Sequence, residues 1–334
     1  MDLRKLGSYG PSVSALGLGA MGMSDLYGGA DEKESIATLH AALDAGVTLI
    51  DTGDFYGSGH NEMLIGRALA ARDRSSVQLS VKFGSRRTPD GAFQPVPYDV
   101  SPAAVKDRLA YSLRRLNTDY IDIYRPARLN PHIPVEETVG ALDEMRQAGY
   151  IRHIGLSEVG ADTIRRAAAV APISDLQIEY SLLSRGPERK ILPVLRELGI
   201  GLTAYGVLSR GLLSGHWSAS RPLAGNDFRA HSPRFQGDNL EANLRLVEAL
   251  ARVAERLGAG TSQVAIAWVL AQGTDIVPLV GARRRDRLTE SLGALDLTLG
   301  EADLRQIEEA VPRDAAAGDR YAAPQMATLD SERD

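Results

Sequence analysis

Two apolar patterns alternate along the chain. Short runs rich in β-branched residues are each followed by a longer stretch in which apolar positions recur every three or four residues. "ALGLG" (15–19) precedes "DEKESIATLHAALDAG" (31–46), and "VTLID" (47–51) precedes "NEMLIGRALAA" (61–71). "VQLSVK" (77–82), "YIDIY" (120–124), "IRHIGLS" (151–157), "SDLQIEY" (174–180), "IGLTAY" (200–205) and "TDIVPLV" (274–280) repeat the scheme. The first pattern predicts buried strands and the second amphipathic helices. Helix punctuation agrees. Ser101-Pro102 supplies a cap and a first-turn proline, and "TSQVAIAWVLAQG" (261–273) opens on a capping residue and closes on glycine. Strands alternating with helices must be parallel, because only a crossover returns the chain in the same direction. Eight such units predict an α/β fold, a closed (β/α)8 TIM barrel, as a single domain over 1–334. An open doubly wound sheet is the structural alternative. "LRKLGSYGPSVSALG" (3–17) reads as an N-terminal β-hairpin that caps the bottom of the barrel, and extra C-terminal helices follow the eighth strand. The segment 311–334 is expected to be a mobile tail, with Tyr321 able to pack back.

Composition narrows the function classes. Of 334 residues, 44% are hydrophobic and 24% charged, which is a globular balance. The formal net charge is -5 and no long Lys/Arg block occurs, so no nucleic-acid partner is expected. There are no cysteines, which excludes disulfides and thiolate metal sites. The histidines at 40, 60, 132, 153, 216 and 231 show no ligand spacing, so no metal is expected; His153 sits low on its strand and reads as structural. No apolar run approaches the ~18–20 residues of a membrane span, and the N-terminus lacks the apolar core of a signal peptide. The expectation is a cytoplasmic protein with no membrane partner. Nothing in the pattern sets the oligomeric state.

"GLGAMG" (17–22) matches the glycine pattern of a dinucleotide-binding turn. That turn needs its third glycine to open a helix, and an acid ending the next strand. Here a glycine-bearing loop follows, and Asp44 lies within a helical pattern. The plainer reading is a first strand whose small residues let a ligand approach the backbone. In a barrel, chemistry belongs at the C-terminal strand ends. Those ends carry Asp51 and Tyr56, then Lys82, Ser157 with Glu158, Gln177, Tyr205, and the run "GARRRDRL" (281–288). An ammonium beside a phenol favours the phenolate and lowers its pKa, and a carboxylate would hold the ammonium. The plain alternative is a structural Asp–Lys pair with a bystander tyrosine.

"DTGDFYG", "SVKFG", "LNTDYIDIY", "IRHIGLSE", "LQIEYSLLSR", "TAYGVLSRGLLSG" and "IVPLVGARRRDRLTESLGAL" occur in the order found in aldo-keto reductases, and the chain resembles that superfamily over nearly its whole length. The resemblance implies an NADPH-dependent carbonyl reductase acting on a small-molecule aldehyde or ketone. It makes Tyr56 the general acid, with Lys82 lowering its pKa and Asp51 holding Lys82. Tyr205 would stack on the nicotinamide, and Ser157 and Gln177 would bond its carboxamide, with Glu158 where many members carry Asn. Gly19, Met21, Asp51, Gly206, Leu208 and Arg210 would line the cofactor, and Gly281, Arg283, Arg287, Glu290 and Ser291 its adenosine-phosphate end. Arginines at a helix start suit a 2′-phosphate; a solvated helix face is the alternative there.

The chain departs from the family at one position. Aldo-keto reductases usually place a His at the end of strand four, and "IYRPARLNP" (123–131) has Ala127 there. Side chains alternate faces along a strand, so Arg125 would share the inward face with Ala127. Arg125 is expected either to rise into the vacated space and serve the substrate oxygen, or to pair with a rim carboxylate such as Glu158. Arg128, on the other parity, is expected in the loop as a surface residue or an anchor for an anionic substrate. Met23, Tyr27, Phe55, Ala127, Arg128 and Trp217 are the candidate substrate wall. "RPLAGNDFRAHSPRFQGDN" (221–239) is polar and turn-rich and is expected to order when cofactor binds, and nothing in the sequence sets the order of the whole 206–237 loop. A second reading is an NADPH-binding sensor with little turnover.

Overall fold

The computed structural model describes residues 1–333 apart from Asp25, Ala224 and Asn226, with the backbone alone for 95–97. Strands β1 (Leu3–Lys5) and β2 (Ser12–Ser14) form an antiparallel hairpin. Leu6 and Val13 are buried against Leu49, Ile123, Val277 and Leu279, so the hairpin plugs the N-terminal end of the barrel as the sequence predicts.

Eight parallel strands close the barrel: β3 (Gly17–Gly19), β4 (Leu49–Gly53), β5 (Gln78–Phe83), β8 (Ile121–Pro126), β9 (Ile151–Ser157), β10 (Ile173–Glu179), β11 (Gly201–Tyr205) and β12 (Ile276–Gly281). The ring shuts where β12 meets β3, with Val280 opposite Leu18. That closure rules out the open sheet. Between β5 and β8 the chain forms a second hairpin, β6 (Ser85–Arg87) with β7 (Phe93–Tyr98), which the sequence reading did not foresee. Pro95 and Pro97 interrupt its pattern, and proline is tolerated only in such edge strands.

The outer ring comprises α1 (Glu32–Asp44), α2 (His60–Leu69), α3 (Pro102–Leu116), α4 (Val135–Gln147), α5 (Ala161–Val170), α6 (Ile191–Leu198), α7 (Gly237–Arg256), α8 (Thr261–Ala271) and α9 (Arg285–Leu292). Asp31 caps α1 by accepting from the Glu34 amide at 2.8 Å, and Ser101 caps α3 ahead of Pro102. Beyond the barrel come α10 (Glu301–Ala310) and the single turn α11 (Ala323–Met326). No helix among the described residues is long and apolar enough to cross a membrane.

Strand parity sorts the core into two compartments. Ile50, Val81 and Tyr124 face the helices, where Tyr124 stacks on Phe83 with ring centroids 4.5 Å apart. Leu49, Asp51, Ser80, Lys82, Ile123 and Arg125 face the lumen. The lumen is apolar where the hairpin plugs it and carries its charged side chains above that plug.

Candidate active site

The strand ends bring Asp51, Lys82 and Tyr56 together. β4 and β5 pair with Asp51 opposite Ser80 and Gly53 opposite Lys82. The Lys82 ammonium bonds Asp51 Oδ1 in a short contact, while Asp51 Oδ2 accepts from Ser80 Oγ and Gln177 Nε2, each at 2.8 Å. Both ions are buried, so the pair stands only because each lone pair finds a donor. Tyr56 follows on a short turn, with Lys82 Nζ 5.2 Å from its ring centroid and Phe55 edge-on at 4.7 Å. Burial pushes the Tyr56 phenol well above its ordinary value and the nearby Asp51 carboxylate adds to the rise, whereas Arg128 lowers it. The lowering expected from Lys82 does not prevail over burial. Burial also pushes Lys82 down; its contact with Asp51 opposes this, and Arg125 and Arg128 add to the fall.

Arg125 faces the lumen, as its parity requires, but its head points to the barrel floor. The guanidinium donates to Asp175 at 2.8 and 3.2 Å, to the Leu156 carbonyl at 3.2 Å and to Ser80 Oγ at 3.2 Å. Arg125 and Asp175 are fully buried. Its partner is therefore Asp175, not Glu158, and it reaches Asp51 only through Ser80. Gly155 makes this possible, since a Cβ there would lie 2.8 Å from Arg125 Cζ. Pro126 continues β8 without displacing it.

The cation beside Ala127 is Arg128. Its Nη1 donates to the Ala127 carbonyl at 2.6 Å and to Ser157 Oγ at 3.4 Å, and its Nη2 to the hydroxyls of Tyr205 at 3.5 Å and Tyr321 at 3.3 Å. Glu158 lies on the same rim. It is buried with a left-handed φ of 54°, a strained setting for a non-glycine residue. Its carboxylate takes both Nη atoms of Arg320, the Ser331 hydroxyl at 2.9 Å and the Tyr205 hydroxyl at 2.6 Å. Burial works against that charge, but Arg320 and Arg128 outweigh it and hold Glu158 far below the usual carboxylate range. The chain beyond Val311 thus folds back over the mouth, with Leu329 buried and Tyr321 2.8 Å from the Tyr205 hydroxyl. Glu179 forms a parallel cluster with Arg210 at 2.9 Å and Arg234 at 3.4 Å.

The segment after β12 mixes arginines with carboxylates. A cavity of about 680 Å³ is lined by Gly29, Ala30, Asp31, Glu34 and Arg283 to Asp286. Arg285 pairs with Glu34 at 3.0 Å and Arg284 with Asp286 at 2.7 Å. Arg287 is taken by Glu290, which also accepts from Ser262 and contacts His216. Arg283 differs: among the described residues it meets only the carbonyls of Tyr27, Gly28 and Gly29. An uncompensated guanidinium beside the start of α9 fits a phosphate group. Ser291 is buried, and Gly281 leaves open space where a side chain would stand. At the opposite end Gln177 spends its amide N–H on Asp51 and keeps its carbonyl, and Ser157 keeps a hydroxyl. These free groups, donors and acceptor together, are the ones that could hold a dinucleotide cofactor.

The remaining expected residues divide. Gly19 has room above it, Gly206 turns at φ 66° against Glu179, Leu208 opens the following turn, and Met21 is partly exposed in the turn after β3. Met23 is buried in the helix-facing core. Tyr27 bridges to Asp227, and burial pushes its phenol up to about 12. Trp217 packs edge-on to Phe235 at 4.8 Å with the Arg229 guanidinium 5.0 Å from its ring, and Phe228 lies 6.0 Å from Tyr321. Sequence reasoning missed Asp175, Glu179 and Arg320. The first two were legible: Asp175, Gln177 and Glu179 are polar at every second position of a buried strand, which marks a polar lumen. Arg320 carries no such signal.

The Aldo/keto reductase family model matches residues 15–312. A "probable aldo-keto reductase 1" of Glycine max is 41% identical over 320 residues, covering 95% of this chain and 91% of that protein. Among solved structures, a glycerol dehydrogenase from Gluconobacter oxydans superposes with a TM-score of 0.84 at 29% identity, covering 95% and 97% of the two chains. An aldo-keto reductase from Bacillus halodurans in its holo form gives 0.75 at 29%, covering 94% and 99%.

Proposed function

Since the chain belongs to the aldo/keto reductase family and is an oxidoreductase of carbonyl compounds, we propose that it reduces an aldehyde or ketone to an alcohol with NADPH, using Tyr56, Lys82 and Asp51. The observation that carries the reading is the buried Asp51–Lys82 pair set against Tyr56 at the strand ends. A structural ion pair would not need a buried phenol at the mouth of a cleft. Ser157, Gln177 and Tyr205 would hold the nicotinamide end, Gly206, Leu208 and Arg210 the middle, and Arg283 the 2′-phosphate. Bound there, the reduced nicotinamide would supply hydride to the carbonyl carbon. Tyr56 gives its hydroxyl proton to the carbonyl oxygen, and the Lys82 ammonium, fixed by Asp51, faces the phenolate that remains.

A panel of aldehydes and ketones tests this through loss of NADPH absorbance, with NADH as control. The expected result is turnover preferring NADPH, with Arg283→Ala weakening NADPH binding about 10–100-fold and NADH little, as for loss of a charge-assisted hydrogen bond. Equal weakening of both cofactors would contradict the assignment of Arg283. A sensor with little turnover is the second reading, favoured by Ala127 and by the high Tyr56 pKa. Tight NADPH binding without turnover of any carbonyl would support it.

A further inference from the structure

We infer that Arg128 serves the carbonyl oxygen of the substrate in place of the imidazole that Ala127 cannot provide. The inference rests on the reductase reading. It follows from where the cations of the site are spent. Lys82 is held by Asp51, Arg125 by Asp175, Arg210 and Arg234 by Glu179, and Arg320 by Glu158. Arg128 sits in the same cleft with no carboxylate at ion-pair distance among the described residues. Its partners are one backbone carbonyl, one serine hydroxyl and two phenol hydroxyls.

Geometry fixes which part of Arg128 is available. The 2.6 Å bond from Nη1 to the Ala127 carbonyl curls the side chain back over the end of β8. That bond anchors the guanidinium. The contacts of Nη2 with Tyr205 and Tyr321 are long, at 3.5 and 3.3 Å, and easily exchanged for a better acceptor. Nε bonds no described residue. A guanidinium presents its donors in a rigid fork, so one edge stays anchored while the other faces the ligand.

The chemistry needs such a group. When hydride reaches the carbonyl carbon, the C=O π pair moves onto oxygen, and the proton from Tyr56 completes the alcohol. A phenol with a raised pKa is a reluctant donor, so negative charge builds on the oxygen before the proton arrives. A cationic donor aimed there stabilises that charge and then the Tyr56 phenolate. Arg125, one level deeper and bound to Asp175, reaches neither.

The test is Arg128→Ala, with Arg128→Lys and the double change Ala127→His/Arg128→Ala. Removing an oxyanion donor typically lowers kcat by ~10²–10³. The expected result is a fall of that order in both kcat and kcat/KM, with the NADPH dissociation constant, read by fluorescence quenching, unchanged. Arg128→Lys retains part of the rate, and the His of the double variant restores part of what Arg128→Ala loses. Tyr56-dependent turnover surviving in Arg128→Ala at the wild-type kcat overturns the inference. So does a loss confined to KM, which would make Arg128 a ground-state anchor. No Tyr56-dependent turnover even in the wild type would instead sink the reductase reading beneath it.

Discussion

Arg125 shows how little a side chain's parity says about its reach. The alternation of β8 places it inward, and the structure agrees. Which way a long side chain bends inside the lumen depends on the opposite strands. Asp175 supplies the attraction and Gly155 the space, and neither is local to "IYRPARLNP". Replacing Gly155 by Ala sets a Cβ 2.8 Å from a guanidinium pinned at both ends. Overpacking of this kind costs roughly 1–3 kcal/mol. We expect Gly155→Ala to lower the denaturant midpoint accordingly; an unchanged midpoint would mean that the guanidinium is not pinned there. Tyr56 teaches the same lesson from the other side. A lysine nearby suggests a lowered phenol pKa, but burial and the Asp51 carboxylate prevail.

At the scale of elements, the β6–β7 hairpin and α3 flank a polar pocket beside the catalytic loop. Asp54 is buried, receives Arg108 at 2.9 Å and leaves Oδ1 without a partner. Burial pushes its carboxyl up to about 6, with the Arg108 charge opposing. The folded pKa lies above the unfolded value of ~3.9, so the folded state binds the proton more tightly. The associated stability is therefore complete below about pH 4 and is lost as pH rises through about 6. A shift of about two units corresponds to ~3 kcal/mol. Asp54→Asn does not titrate, so its unfolding free energy should gain on wild type by up to that amount between about pH 4 and pH 7. A pH-independent difference would contradict the burial argument. The C-terminal segment belongs to this scale too. Glu158 binds Arg320 and Ser331 across the mouth, an arrangement that no periodicity in "RDAAAGDRYAAPQMATLDSERD" discloses.

For the whole molecule, the barrel was legible because eight apolar runs and their helices repeat one physical unit, and only closure buries both faces of every strand. The hairpin plug was legible from its turn residues. That Asp51, Lys82 and Tyr56 would meet was legible because neighbouring strand ends bring them to one place. The partners of the buried ions were not, since they join residues as far apart as Glu158 and Arg320 and depend on strand register that only the closed ring fixes. The measurement that tests the account most directly is a single-turnover mix of enzyme-bound NADPH with a carbonyl substrate of the panel, comparing wild type with Tyr56→Phe. The account predicts that the variant binds NADPH with unchanged affinity and transfers hydride at least ~10²-fold more slowly, the lower bound for loss of a general acid. Hydride transfer at the wild-type rate in Tyr56→Phe would contradict it.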